Sequence, residues 1–101
     1  MSINSPRYQG WHIQPNSQNA HMLDSYVNAS KTLHQLVKMG ITVTELHLGS
    51  VHPVITVQPT AETKKLKGVM VRSINRSGTR SAIYSAMMNQ CRIEWENRYV
   101  H

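Results

Sequence analysis

Residues 33–48 read LHQLVKMGITVTELHL, and the spacing of their apolar residues changes at Gly40. Before this glycine, apolar residues recur at intervals of three and four, which is the period of an amphipathic helix. After it, β-branched residues alternate with polar ones, as they do in a half-buried strand. A glycine at such a junction is typical of the left-handed residue that ends a helix. The stretch therefore predicts a helix that ends near Gly40 and a strand that follows it.

The predicted helix extends back to about Asn19. We expect its apolar positions to face the core, and these are Met22, Leu23, Tyr26, Val27, Leu33, Leu36 and Val37. Either Ser17 or Asn19 can supply the oxygen that caps the first turn. Residues 1–18 are polar and contain two prolines, so they are predicted to form an N-terminal arm, in which Trp11 and Ile13 would dock on a sheet if the arm is extended.

Downstream of Gly40 the sequence predicts strands joined by short connections. Residues 41–48 and 54–58 form a predicted hairpin, with a bulge where the apolar alternation slips between Val43 and Leu46. A short helix begins after Thr60 and ends at Gly68. Strands at residues 69–75 and 80–87 follow. Asn89 and Gln90 make a tight turn into the last strand, in which Cys91, Ile93 and Trp95 alternate with charged residues and should face the core.

These signals predict an α+β fold, with one main amphipathic helix packed on an antiparallel sheet of four to five strands. The chain has 101 residues, which suits a single domain at residues 19–101. No apolar run is long enough to cross a bilayer, and the single cysteine cannot form a disulfide within the chain. We therefore expect a cytoplasmic protein that does not act at a membrane.

The charge distribution carries the strongest functional signal. The formal net charge is +6, although only 16% of the residues are charged. No acidic residue occurs between Thr63 and Ile93, a stretch that contains Lys64, Lys65, Lys67, Arg72, Arg76, Arg80 and Arg92. An uncompensated basic block repels itself, and a surface that tolerates it usually faces a negative partner. These seven residues are the predicted binding residues.

Residues that would carry catalysis or bind a metal are not arranged in any recognisable motif. The six histidines include His47 and His52, which flank the predicted hairpin loop, but no further ligands accompany them. Cys91 is predicted to be an inert buried thiol. Glu94 and Glu96 lie beside arginines, which indicates surface ion pairing. We therefore predict no enzyme activity, no cofactor and no metal.

The basic block has three possible interpretations, and two of them involve a binding partner. The first is a protein or nucleoprotein complex with an acidic surface, bound by the basic face, by a sheet edge near residues 54–58 or by the N-terminal arm. The second is DNA or RNA, bound weakly and with little sequence preference because Tyr84 is the only aromatic residue in the basic region. A solvated basic face with no dedicated partner is the third interpretation. Exposed sheet edges would also permit a homodimer.

Spaced residues over about two thirds of the chain give a family resemblance. They are Lys38-Met39-Gly40, Val57-Gln58-Pro59, Leu66-Lys67-Gly68, Tyr84, Cys91 and Glu94-Trp95. In this order the chain resembles small accessory proteins from the early regions of tailed phages and prophages of enteric bacteria. The resemblance implies a cytoplasmic, non-catalytic protein that binds host machinery such as nucleases, defence complexes or the transcription apparatus. It carries no functional residue over to this chain.

Overall fold

A computed structural model describes residues 16–99 of the chain, with the main chain alone at Tyr99. The predicted N-terminal arm lies largely outside these residues. The elements in chain order are α1 (Ser17–Lys38), β1 (Val43–His47), β2 (Val54–Val57), a short 3-10 helix (Ala61–Leu66), β3 (Val69–Arg76), β4 (Thr79–Met88) and β5 (Cys91–Tyr99). One main helix and a five-stranded sheet confirm the predicted α+β class.

Local signals set both ends of α1. The N-cap is Asn16, whose side-chain oxygen accepts a hydrogen bond from the Asn19 N–H at 2.8 Å, so the predicted caps Ser17 and Asn19 were wrong. At the other end Gly40 adopts a left-handed φ of 79°, as predicted. The Ile41 N–H donates to the Leu36 carbonyl at 3.0 Å, which is the Schellman pattern. The helix therefore stops where the glycine allows the chain to reverse.

The face of α1 that packs on the sheet differs from the predicted one. Its buried residues are Ser25, Ala29, Thr32 and Leu36. Among the predicted core positions Leu23, Tyr26, Val27 and Val37 are exposed. The two faces lie roughly 100° apart around the helix axis. Small side chains let the helix backbone approach the sheet closely, so shape overrides hydrophobicity in choosing this face.

The strand order is β1-β2-β5-β4-β3. β1 pairs antiparallel with β2 as predicted, with a bulge between Val43 and Glu45, but β2 pairs in parallel with β5. The sheet is therefore mixed, whereas an antiparallel one was predicted. The reason lies in the connection from β2 to β5, which contains the whole β3–β4 hairpin and returns the chain beside β2 in the same direction.

Position in the sheet also overturns one predicted docking edge. Residues 54–58 were expected at an edge, but β2 lies between β1 and β5, and the edge strands are β1 and β3. Two hairpins that are correctly predicted from local sequence can still join in several orders. Their order depends on long-range pairing, which the alternation pattern does not encode.

The core lies between α1 and the middle of the sheet. Leu36 from the helix, Ile55 from β2, and Cys91 and Ile93 from β5 are completely buried, and Trp95 extends the same cluster. The predicted inward alternation of β5 is confirmed. Burial of a side chain as large as isoleucine stabilises a fold by roughly 2 kcal/mol, so the two central strands provide much of the hydrophobic stability.

Hydrogen bonds attach α1 to the turn between β4 and β5. The Thr32 hydroxyl donates to the Asn28 carbonyl at 2.8 Å and lies 3.3 Å from the Cys91 Sγ. The Asn89 side-chain amide donates to Thr32 Oγ1 at 3.3 Å and also to Gln35. Asn89 and Gln90 both have positive φ, as a tight hairpin turn requires, which confirms the predicted turn.

Candidate partner-binding surface

The six-residue 3-10 helix and the residue that follows it carry the three lysines of the basic block. The 3-10 helix begins after Thr60, as predicted. The Thr63 hydroxyl donates to the Thr60 carbonyl at 2.7 Å and accepts from the Thr60 N–H at 3.3 Å, which fixes the first turn. Thr63 itself is buried. The structure therefore brings together Lys64, Lys65 and Lys67, all of them exposed.

The end of this helix is set by contact with Trp95. The helix ends at Leu66, and the residue after it, Lys67, is left-handed with φ of 55°, whereas the sequence predicted an end at Gly68. Gly68 is needed for a different reason, since a Cβ at this position would lie 2.3 Å from Trp95 Cη2 and 2.7 Å from Cζ2. Only glycine lets the backbone approach the ring this closely. The lysines are therefore held beside the tryptophan, on the face of the sheet that carries α1.

A cleft of about 320 Å³ lies between the 3-10 helix and the sheet. Its lining comprises Thr60, Thr63, Lys64, Lys67, Gly68, Tyr84, Trp95 and Asn97. The Tyr84 and Trp95 rings are stacked, with centroids 6.0 Å apart and planes inclined by 8°. No acidic residue lines the cleft. Two ammonium groups and two aromatic rings therefore border one concave surface.

The arginines lie on the β3–β4 hairpin and on β5. Ser77 and Gly78 form the hairpin turn with φ of 49° and 83°. Register places Arg72 opposite Ile83 and Arg76 opposite Thr79, on the sheet face away from α1. Arg80 lies opposite Asn75 and has the parity of the α1 side. Arg92 has the parity of the far face, at the centre of the sheet.

The arginines also differ in whether a carboxylate lies close to them. Arg92 Nε lies 2.9 Å from Glu94 Oε2, and Arg98 Nε lies 3.8 Å from Glu96 Oε2. Within residues 16–98, no carboxylate lies within 4.0 Å of the other predicted binding residues, which are Lys64, Lys65, Lys67, Arg72, Arg76 and Arg80. The structure thus places these cations on consecutive elements but on both faces of the sheet, and it pairs the seventh, Arg92, with a carboxylate.

One exposed feature was missed by sequence reasoning. Val69, Met70 and Val71 on β3 are 64%, 58% and 57% exposed. The sequence predicts a strand over residues 69–75, and that prediction does not set these three residues apart. The available signal was their lack of alternation, since a half-buried strand does not place three apolar residues in succession.

The described residues were also compared with the requirements of a metal site, a reactive thiol and a membrane-spanning helix. Residues 16–98 contain no group of three or more histidine, cysteine, aspartate or glutamate side chains that could hold a metal ion. Cys91 is completely buried, as predicted. Among the described helices, none is long and apolar enough to cross a membrane.

Comparison with known proteins identifies the family. No curated protein and no solved structure shows significant similarity to the chain. The model of the Kil protein family matches residues 16–96, which covers the helix and nearly all of the sheet. This match confirms the resemblance to small phage proteins. The chain is a phage protein and belongs to the Kil protein family.

Proposed function

We propose that this phage protein acts without catalysis, in the cytoplasm of the host cell, by using its basic residues to bind an acidic surface on a host protein or nucleoprotein complex. The supporting observation is the set of exposed cations from Lys64 to Arg80, none of which has a carboxylate within 4.0 Å in the described chain. Binding of this kind would interfere with a host defence complex or alter a regulatory one.

Electrostatics explains why such a surface would be kept. Six like charges on three consecutive elements raise the free energy of the folded protein by mutual repulsion. An acidic partner removes this repulsion and gains charge complementarity, which speeds association and selects against basic partners. The contribution of each rim charge is modest, so the proposal depends on the group and not on any one residue.

The burial of Cys91 supports the non-catalytic part of the proposal. A nucleophilic thiol must reach its substrate and be partly ionised, whereas this thiol is completely buried against Thr32. The partly buried carboxylates Glu94 and Glu96 form ion pairs with Arg92 and Arg98. Binding therefore accounts better than catalysis for the residues that the structure exposes.

Direct binding of DNA or RNA is the second candidate. Lys64 and Lys67 line the same cleft as Tyr84 and Trp95. Proteins that bind single strands combine cations for the phosphates with aromatic rings for the bases. Trp95 is almost completely buried, so Tyr84 would supply most of any stacking.

Capture of host proteins from a bacterial lysate tests the first candidate. The tagged wild-type protein is compared with Lys64→Glu/Lys67→Glu and with the control Lys31→Glu/Lys38→Glu, which reverses two exposed lysines on α1. Each pair replaces two positive charges by two negative ones and lowers the net charge from +6 to +2. Mass spectrometry should find a protein bound by the wild type and the control but lost from the first variant.

Equal retention by both variants would contradict the proposal, and so would equal loss. Equal loss would show that net charge alone attracts the captured protein.

Fluorescence anisotropy with duplex and single-stranded probes at low and high salt tests the second candidate. Affinity that falls steeply with salt is expected if phosphates are the ligand. An absence of binding at low salt excludes that candidate.

A further inference from the structure

We propose that β3 binds an extended acidic segment of the partner as an added sixth strand of the sheet. This inference rests on the proposed function and specifies the surface and the form of the ligand. β3 lies at the end of the strand order and pairs with β4 alone. On its open side, the main-chain N–H and C=O groups have no strand partner within residues 16–99.

Exposure of the side chains indicates that no other described element packs over this edge. Seven of the eight residues of β3 are exposed, and only Ile74 is partly buried. Its first three residues, Val69 to Val71, are apolar. Natural edge strands are blunted by proline, by shortness, by charged side chains, by a bulge or by a covering element. β3 carries two arginines and a bulge between Met70 and Arg72, but it has eight residues and no proline, and no strand covers its open side within residues 16–99. A bound strand would cover apolar side chains and satisfy main-chain groups in one step.

Charge determines which strand would fit. Arg72 and Arg76 lie on the same sheet face and, at four residues apart, are separated by roughly 13 Å. Neither has a carboxylate partner in the part of the chain described. An added strand with carboxylates at the matching positions would place opposite charges side by side, which stabilises cross-strand pairs. The favoured ligand is therefore a segment that combines acidic and apolar residues.

The same arginines disfavour pairing between two copies of this chain. An antiparallel pair of β3 strands centred on Ile74 would place Arg72 of each copy opposite Arg76 of the other, so that two pairs of like charges lie side by side.

β1 is a poorer site for an acidic strand. Both edge strands contain a bulge, but β1 has only five residues and an exposed carboxylate at Glu45. The edge with the most exposed apolar surface is also the basic one.

A designed peptide provides the test. It alternates valine and threonine and carries glutamates at the spacing of Arg72 and Arg76. NMR titration against the full-length protein should shift the β3 amide signals, and hydrogen exchange should show added protection of β3 main-chain amides. A second peptide of the same sequence, N-methylated on the edge-facing amides, cannot form the strand hydrogen bonds. We expect its affinity to be lower by roughly tenfold or more.

Exchanging the charges between protein and peptide provides an independent test. The variant Arg72→Glu/Arg76→Glu should bind the glutamate peptide roughly tenfold more weakly, and it should bind a lysine version of the peptide more tightly than the wild type does. The control Lys31→Glu/Lys38→Glu should leave both affinities unchanged. The comparison of methylated and unmethylated peptides uses the wild-type protein, so its result does not depend on the folding of a variant.

Several outcomes would overturn the inference. They are a dissociation constant weaker than about 1 mM, equal affinity of the methylated and unmethylated peptides, or protection confined to elements other than β3. If the lysate experiment still captures a host protein in a manner that depends on Lys64 and Lys67, the proposed function stands and strand addition alone is lost. Concentration-dependent dimerisation through β3 in the absence of peptide would show instead that the occupant is a second copy.

Discussion

β5 and β3 have nine and eight residues and belong to one sheet, but they differ completely in burial. β5 lies in the middle, and every second side chain from Cys91 to Trp95 is buried beneath α1 or the 3-10 helix. β3 lies at the edge, and its apolar residues Val69 to Val71 remain exposed. One strand thus lies in the core of the fold, whereas the other leaves apolar side chains exposed.

The comparison predicts that stability and the proposed binding depend on different strands. The charged and exposed apolar residues of β3 can change with little effect on the core, because β3 contacts the rest of the sheet through β4 alone. Residues of β5 cannot change in this way, since they contact strands on both sides and α1 above. Experiments on the two strands should therefore give opposite results for stability and binding.

The largest expected effect comes from truncating the core strand. Replacement of Ile93, which is 0% exposed, by alanine should lower the free energy of unfolding by roughly 2–5 kcal/mol. The matched change Val71→Ala on β3 should alter it by less than about 0.5 kcal/mol. Urea denaturation followed by circular dichroism measures both values.

If Ile93→Ala does not fold, the milder change Ile93→Val should still cost roughly 0.5–1.5 kcal/mol. Similar losses for the Ile93 and Val71 variants would contradict the burial difference between the strands. A large loss at Val71 would mean that another part of the protein covers β3.

A smaller effect is expected at Gly68, where the 3-10 helix meets β5. An alanine Cβ would overlap the Trp95 ring, so Gly68→Ala should lower the free energy of unfolding by roughly 1–3 kcal/mol. Gly49→Ala is the control, because its Cβ would lie no closer than 3.4 Å to the flexible His47 side chain. Thermal denaturation of the two variants compares them. Equal melting temperatures would show that the contact with Trp95 is not tight.

The smallest effect tests the hydrogen bonds that hold α1 over the β4–β5 turn. Thr32→Val keeps the side-chain shape but removes the hydroxyl that donates to Asn28 and accepts from Asn89. We expect a loss of about 1 kcal/mol. Thr44→Val, which removes an exposed hydroxyl bonded to Thr56, should change stability by less than about 0.5 kcal/mol. Denaturant midpoints measure both, and an unchanged midpoint for Thr32→Val would show that the Thr32 hydroxyl does not help to attach α1.

Features that depend on neighbouring residues were predictable from the sequence. The end of α1 at Gly40, the turn at Asn89 and Gln90, and the inward alternation of β5 all follow from backbone preferences or strict periodicity. The basic residues could also be identified, because charge is a property of composition. Such signals do not require knowledge of what lies next to them in space.

Features that depend on distant contacts could not be predicted. The apolar stripe that includes Leu23 and Val27 indicated one face of α1, but the sheet accepts the face with Ser25 and Ala29 because small residues permit closer packing. The parallel pairing of β2 with β5 depends on how the β3–β4 hairpin returns. The distribution of Lys64 to Arg80 over both sheet faces depends on the register of β3 with β4 and on which sheet face α1 covers.

The parallel pairing also affects biosynthesis. Residues 54–56 pair with residues 92–94, so the middle of the sheet cannot assemble until the ribosome has made β5. A nascent chain that ends before Cys91 would contain two separate hairpins with no strand to join them, and a helix with little to pack against. Pairing of segments so distant in sequence is slow compared with local structure formation. This protein would therefore acquire its fold in one late step, and fragments released early would be substrates for host proteases.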